Sequence, residues 1–183
     1  MTKTSADAVT EDRAVDVAPM TPTPGQTIGP FFHRALGWAS SESAAKDPAL
    51  GAIVIEGTLE DATGEPLPAW LVEAWVPQAA AVEAEAGHAT PGFRRMMGHG
   101  RDRFTFRVPR PEPGQPAAFI TIFGVGLTRQ HVTAVFLDEA STMLDAVSQQ
   151  RRATLLAEPV SDGLYRWIIR TQGERETVFF SYC

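Results

Sequence analysis

Cysteine is almost missing from this chain: of its 183 residues one is cysteine, and it is the last, Cys183. That excludes an internal disulfide and a thiolate zinc site. Nothing near Cys183 in sequence would activate its sulfur, so it reads as an incidental terminal thiol. Tyrosine is scarce as well, with Tyr165 and Tyr182 alone. No window approaches the ~20 consecutive apolar residues of a membrane span. The N-terminal MTKTSADAVTEDRAVDVAPM lacks the apolar core of a secretory leader, and a cytoplasmic location is the expectation. Basic charge is in deficit: 16 Lys and Arg against 22 Asp and Glu leave a net −6. That argues against nucleic acid and anionic membrane as partners.

What is present is ordinary in bulk. The hydrophobic fraction is 44%, which suits a soluble globular protein, and the length suits one good-sized domain. Residues 1–23 are polar, mixed in charge and short of large apolar side chains, so they read as a flexible tail. Residues 24–183 read as a single domain that opens with an extended arm, 24–38. The arm's prolines and glycines forbid a regular helix at its start, while Phe31, Phe32 and Trp38 are too apolar for a free tail.

Period-two patterning then dominates. Ile53, Ile55, Gly57 and Leu59 alternate with Val54, Glu56, Thr58 and Glu60. After a turn marked by Asp61, Gly64 and Pro66, Trp70, Val72, Ala74 and Val76 alternate again. QAAAVEAEAGH, 78–88, has the alanines and glutamates of a helix but no large apolar anchor; it reads as a loop or a short surface helix. RDRFTFRVP, QPAAFITIFGVGL and HVTAVFL each read as a strand. Residues 138–160 read as a long excursion with one or two short helical turns. GLYRWIIRTQG and ETVFFSY read as a closing strand pair turning at Gly173. About seven strands and little helix predict an all-β sandwich.

Candidate chemistry is thin. His33, His88, His99 and His131 show no i, i+2 or i, i+4 spacing that would aim two imidazoles at one metal. His88 and His99 fall in glycine-rich stretches that read as solvated loops. There is no nucleophile elbow, phosphate loop or dinucleotide fingerprint. Glu56 and Glu73 sit on predicted strands, either as paired carboxylates or, the commoner case, on polar faces. Arg94-Arg95 and Arg151-Arg152 could each grip an anion or a partner carboxylate, but such pairs are more often solvated or in surface salt bridges. Read from the residues alone, the chain has no evident catalytic set. A binding or structural module without enzymatic activity stays open.

Five segments, in order, bear a family likeness. TPGQTIGPFFH resembles an arm written T-P-S-Q-T-x-G-P-Y/F. AWLVEAWVPQA resembles L-x-E-x-W-Q-A, and FITIFGVGL resembles a strand and turn ending F-A-R-G-L. RRATLLAE and YRWIIRTQGERETVFFSY are similar to R-R-x-T-L-I-A and Y-R-F-D-I-x-x-Q-G-E-x-E-T-V-F-F-D. Together they resemble the intradiol ring-cleavage dioxygenase family, and within it the α subunits of the protocatechuate-cleaving members. The resemblance implies a β-sandwich of the intradiol type. It also implies a partner: a β subunit that holds Fe(III) with two Tyr and two His and opens protocatechuate between its hydroxyls with O₂, giving β-carboxy-cis,cis-muconate. The two chains would form α–β protomers in a larger oligomer.

The resemblance also assigns positions. In a catalytic subunit one strand carries H-x-H; aligned on its closing Phe-Gly, those histidines fall on Ala117 and Phe119, which cannot bind a metal. No catalytic or metal-binding residue is therefore expected in this chain. Thr27, Pro30 and Phe31 match arm positions expected to wall the partner's substrate site, Phe31 without the usual Tyr hydroxyl. Other positions depart from the family. The F-A-R-G-L arginine falls on Val125, a second arginine on Ala134, and the final aspartate on Ser181. Arg129 is a candidate substitute for the first.

Overall fold

The computed structural model describes residues 36–45, 52–99 and 102–181. Eight strands form two four-stranded sheets. One sheet has the order β4 (Arg103–Pro109), β1 (Ala52–Glu60), β8 (Leu164–Arg170), β7 (Glu158–Ser161). The other has the order β3 (Phe93–His99), β2 (Ala69–Trp75), β5 (Ala118–Gly124), β6 (His131–Val135). All pairings are antiparallel except β1 with β8. This is the all-β sandwich that the patterning predicts.

The alternation places every second side chain inward. In β1, Ile53, Ile55, Gly57 and Leu59 are buried, and the residues alternating with them are half-exposed. The core they enter is continuous, with Trp70, Val72, Phe104, Phe106, Ile120, Ile122, Trp167 and Ile169 packed in one cluster. At its centre two aromatics use the same device. Phe104 lies directly opposite Gly57 across β1 and β4, and its ring occupies the space a Cβ on Gly57 would take, at 2.0 Å. Trp70 lies opposite Gly98 and covers it likewise, at 2.1 Å. Each sheet thus folds a large ring flat over a glycine, and the rings meet edge to face, centroids 5.7 Å apart.

Helix α1 (Gly37–Ala45) runs against β3, an edge strand. The Arg95 amide donates to Ser43 Oγ at 2.8 Å and the Thr90 amide to Glu42 Oε1 at 2.9 Å, so the helix covers backbone that would otherwise be an open edge. Its first residues, Gly37 and Trp38, and Leu36 before them belong to the expected arm; residues 24–35 of the arm lie outside the described residues. Helix α2 (Pro77–Glu85) starts on a proline, whose fixed φ and missing N–H suit the first helical position. Beyond it, Gly87 adopts a positive φ of 77°.

Three expectations are corrected. His99 ends a strand, Phe93–His99, instead of lying in a glycine-rich loop. The closing hairpin is β7 with β8, and 176–180 runs extended without a strand ladder. Arg94 and Arg95 are buried, not a solvated pair. Arg94 donates to both carboxylate oxygens of Glu83 on α2, and the Gly92 amide donates to the same carboxylate at 2.8 Å. Arg94 also reaches the Arg107 carbonyl on β4, at 3.3 Å. One guanidinium therefore joins α2 to strands of both sheets. This is how the alanine-rich helix is anchored without a large apolar side chain.

The excursion after β6 comprises a 3₁₀ turn (Thr142–Ala146), α3 (Gln149–Arg152) and a second 3₁₀ turn (Ala153–Leu155). It builds a smaller cluster of Ala134, Phe136, Leu144 and Leu155, with Phe119, Val178 and Phe180 packed against it.

Candidate functional site

The positions singled out at the start of β5 are both filled by packing. Ala117, immediately before the strand, is fully buried in the main cluster. Its amide donates to the Val135 carbonyl at 2.8 Å, and its carbonyl accepts from Gln78 Nε2 at 2.9 Å. Phe119 is half-buried against the smaller cluster. The two residues therefore serve different clusters. In register, Phe93, Trp75, Phe119 and Ala134 form one row across the sheet, and directly opposed residues share a face. The next row is Arg95, Glu73, Thr121 and Val132, where Arg95 pairs with Glu73.

Beside Phe119 lies a groove of about 220 Å³, walled by Pro77, Gln78, Pro111, Pro116 and Met143. Trp75 is 45% exposed and Met143 41%. Glu112 is the ionisable side chain of the lining; the rest is carbon and amide, so the groove offers contact area and no second group to form an acid–base pair with that carboxylate.

The other candidates are dispersed. Glu56 and Glu73 lie on different sheets and do not meet: Glu56 is 4.0 Å from Arg166, and Glu73 is taken by Arg95. His88 Nδ1 is 3.9 Å from Glu42. Arg151 donates to the Glu176 carbonyl at 3.0 Å and Arg152 to the Val147 carbonyl at 3.1 Å. Tyr165 accepts from Arg110 Nη1 at 2.9 Å. Val125 is exposed, at the tip of the turn after β5, and Ala134 is fully buried on β6. Arg129 and Ser181 line a cleft described below. Thr27, Pro30, Phe31, His33, Tyr182 and Cys183 lie outside the described residues.

Among the described residues, no group of three or more His, Cys, Asp or Glu side chains is placed to hold a metal ion. The donor set at Ala117 and Phe119 does not fit iron, since neither side chain carries a lone pair. No helix among the described residues is long and apolar enough to cross a membrane. Sequence reasoning missed Glu83 and Arg94 as a pair. A signal was present, a Glu in an alanine-rich helix and an Arg at the inward phase of the next strand, but it becomes visible only once 93–99 is read as a strand.

Fold and site together define a two-sheet β-sandwich whose described surface offers grooves and clefts. The particular likeness is sharper. No family model matches the chain. It is 28% identical over 193 residues to the protocatechuate 3,4-dioxygenase alpha chain of Pseudomonas putida, covering 87% of this chain and 96% of that one. It is 28% identical over 192 residues to the alpha chain of the same name from Burkholderia cepacia, covering 86% and 96%. Among solved structures, catechol 1,2-dioxygenase from Pseudomonas arvilla C-1 aligns with a TM-score of 0.48 and 18% identity over 70% of this chain and 54% of that one. The resemblance to intradiol dioxygenases read from the sequence is borne out by the two alpha chains, which are matched almost end to end.

Proposed function

We propose that this chain is the metal-free α subunit of a protocatechuate 3,4-dioxygenase, which shapes the active site of an iron-holding β subunit. The observation that carries this reading is similarity to two alpha chains along nearly the whole length. Carbon side chains at Ala117 and Phe119 support it, because the family's H-x-H would fall there. In the assembly, Fe(III) in the β subunit would supply the activation of the bound catechol toward O₂. This chain's part is to bind its partner and, through Thr27, Pro30 and Phe31, to wall the substrate site. Gly29-Pro30 would preset the bend that presents Phe31.

The test is coexpression with a β subunit. The expected result is a coloured, iron-containing complex that opens protocatechuate to β-carboxy-cis,cis-muconate, while this chain purified alone holds no stoichiometric iron and has no activity. With its partner surface open, the lone chain is also expected to self-associate on a sizing column. A colourless, inactive pair would favour a non-enzymatic binding module. Stoichiometric ferric ion on the lone chain would overturn the proposal directly.

A further inference from the structure

Two clefts carry charge. One, about 310 Å³, lies between the turn that leads into β6 and the extended segment 176–181, and holds Arg129 and Glu176, one charge of each sign. The segment is tied to β6: the Phe180 amide donates to the Val132 carbonyl at 2.7 Å, and Thr133 Oγ1 donates to the Val178 carbonyl at 2.7 Å.

The other cleft, about 250 Å³, is unbalanced. It lies between β8, α3 with the 3₁₀ turn that follows it, and the turn after β8. Its lining includes Arg151, Arg166, Arg170 and Arg175 against Glu158 and Glu174. The lysines of the chain, Lys3 and Lys46, both precede β1, so the cations from β1 onward, histidine aside, are guanidiniums. Four of these share this one cleft, on a chain of net charge −6. A cleft lined by one sign of charge concentrates the opposite ion.

These guanidiniums are aimed but not filled. Arg151 donates through Nη2, to the Glu176 carbonyl at 3.0 Å and the Thr177 carbonyl at 3.5 Å, which fixes its direction and leaves Nε and Nη1. Arg170 pairs with Glu60 at 3.0 Å. Arg166 Nη2 stands 4.0 Å from Glu56, beyond hydrogen-bond reach. Arg175 has no hydrogen bond or ion pair among the described residues, and neither has Glu158 or Glu174. With five donors on each guanidinium, Arg151, Arg166 and Arg175 hold more donors than the protein supplies with acceptors. The walls are cross-tied. The Trp167 indole, 2% exposed, donates to the Thr154 carbonyl at 3.0 Å. The Val178 amide donates to Thr154 Oγ1 at 3.2 Å, and the Arg170 amide to Thr177 Oγ1 at 2.9 Å. The cleft therefore has its shape before any ligand arrives.

We infer that this cleft binds a phosphate group, held by Arg151, Arg166 and Arg175. A tetrahedral oxyanion presents oxygens in several directions and accepts from three guanidiniums at once, where a carboxylate faces a single fork. Glu158 and Glu174 oppose it and lower its affinity.

Inorganic phosphate is the probe, titrated calorimetrically into the full-length chain at neutral pH and low ionic strength, where surface charge is least screened. The expected Kd is on the order of 1 mM, with acetate binding at least tenfold more weakly. Arg166→Gln and Arg175→Gln, both at exposed positions, are each expected to weaken phosphate at least fivefold, and Glu174→Gln to tighten it several-fold. Arg129→Gln, which removes the same charge from the other cleft, should leave it unchanged. No saturable phosphate binding would overturn the inference. So would acetate binding equal to phosphate, indifference to both arginine substitutions, or an equal loss in Arg129→Gln, which would mean diffuse attraction without a site. Glycerol 3-phosphate in a parallel titration identifies the source: binding as tight as inorganic phosphate assigns a phosphomonoester, and binding at least tenfold weaker assigns the free ion, either of which supports the site. The subunit reading does not enter: a failed titration leaves the coexpression result unaffected, and the reverse holds too.

Discussion

Replacing Arg94 by Met tests whether one buried guanidinium holds the edge of the sandwich together. Arg94 is 1% exposed, and its partner Glu83 is 8% exposed. The substitution keeps most of the volume and apolar stem but removes every donor from the Glu83 carboxylate except those of its other neighbours. Deleting one partner of a buried pair leaves a charge without its counter-ion and costs about 3–5 kcal/mol. The same change also strips an acceptor's partner from the Arg107 carbonyl on β4. Equilibrium urea unfolding is the assay. With a slope of about 1–3 kcal/mol/M for a domain of this size, the midpoint should fall by more than about 1 M. The double variant Glu83→Leu with Arg94→Met should recover most of the loss, since an apolar pair of similar volume avoids desolvation altogether. A single Arg94→Met variant within about 1 kcal/mol of the parent would refute the assignment. It would mean that the carboxylate escapes to water when the guanidinium is gone.

Three further outcomes are expected. The His131 imidazole is held below its ordinary 6.5 by burial first and by Arg129 second, with Glu176 opposing. The unfolded chain therefore holds more protons between the folded pKa and 6.5, and stability falls as pH drops through that window. NMR titration of His131 should give a value below 6.5, and His131→Gln should flatten the slope; a value at or above 6.5 contradicts this. Gly57→Ala would place a methyl in the Phe104 ring and should cost about 1–3 kcal/mol by urea midpoint, partly recovered by Phe104→Leu; an unchanged midpoint would show that the ring moves freely. Thr133→Val removes the donor to the Val178 carbonyl and should cost about 1–3 kcal/mol. It should also speed hydrogen exchange at the Phe180 amide, and unaltered exchange would show that the segment is held by other contacts.

The sheets were legible where a strand buries one face of carbon and shows the other to water. β1, β4 and β5 alternate cleanly, and their inward residues are those that period two selects. β3 was not legible, because FRRMMGH puts an arginine and a glycine at inward positions. The arginine is neutralised by a carboxylate eleven residues upstream, and the glycine is covered by an indole from the next strand. Neither compensation shows in a local window. Segment 176–180 failed in the opposite way. Its apolar alternation is that of a strand, but its backbone makes no ladder: Thr177 bonds Arg170, Phe180 bonds Val132, and Val178 between them is held by the side chains of Thr133 and Thr154. β7 is four residues with Pro159 among them, tolerable on an edge and invisible to a rule that rejects proline from sheets. The site was legible only by negation. Histidine spacing excluded a conventional ligand pair, while the cleft at Arg129 joins residues about fifty positions apart in the chain.

Ala117 and Phe119 carry separate packing duties in the sandwich. An imidazole at either place would need a hydrogen-bond partner or a metal, because a buried polar ring left unpaired costs free energy that burial of carbon does not. Here the first position closes the joint between α2 and β5 through Gln78, and the second seals the excursion against the sheet. Both side chains are committed to packing within this chain. The surface beside these positions, with Trp75 and Met143 open to water, then becomes the part of the molecule whose chemistry depends on what lies against it.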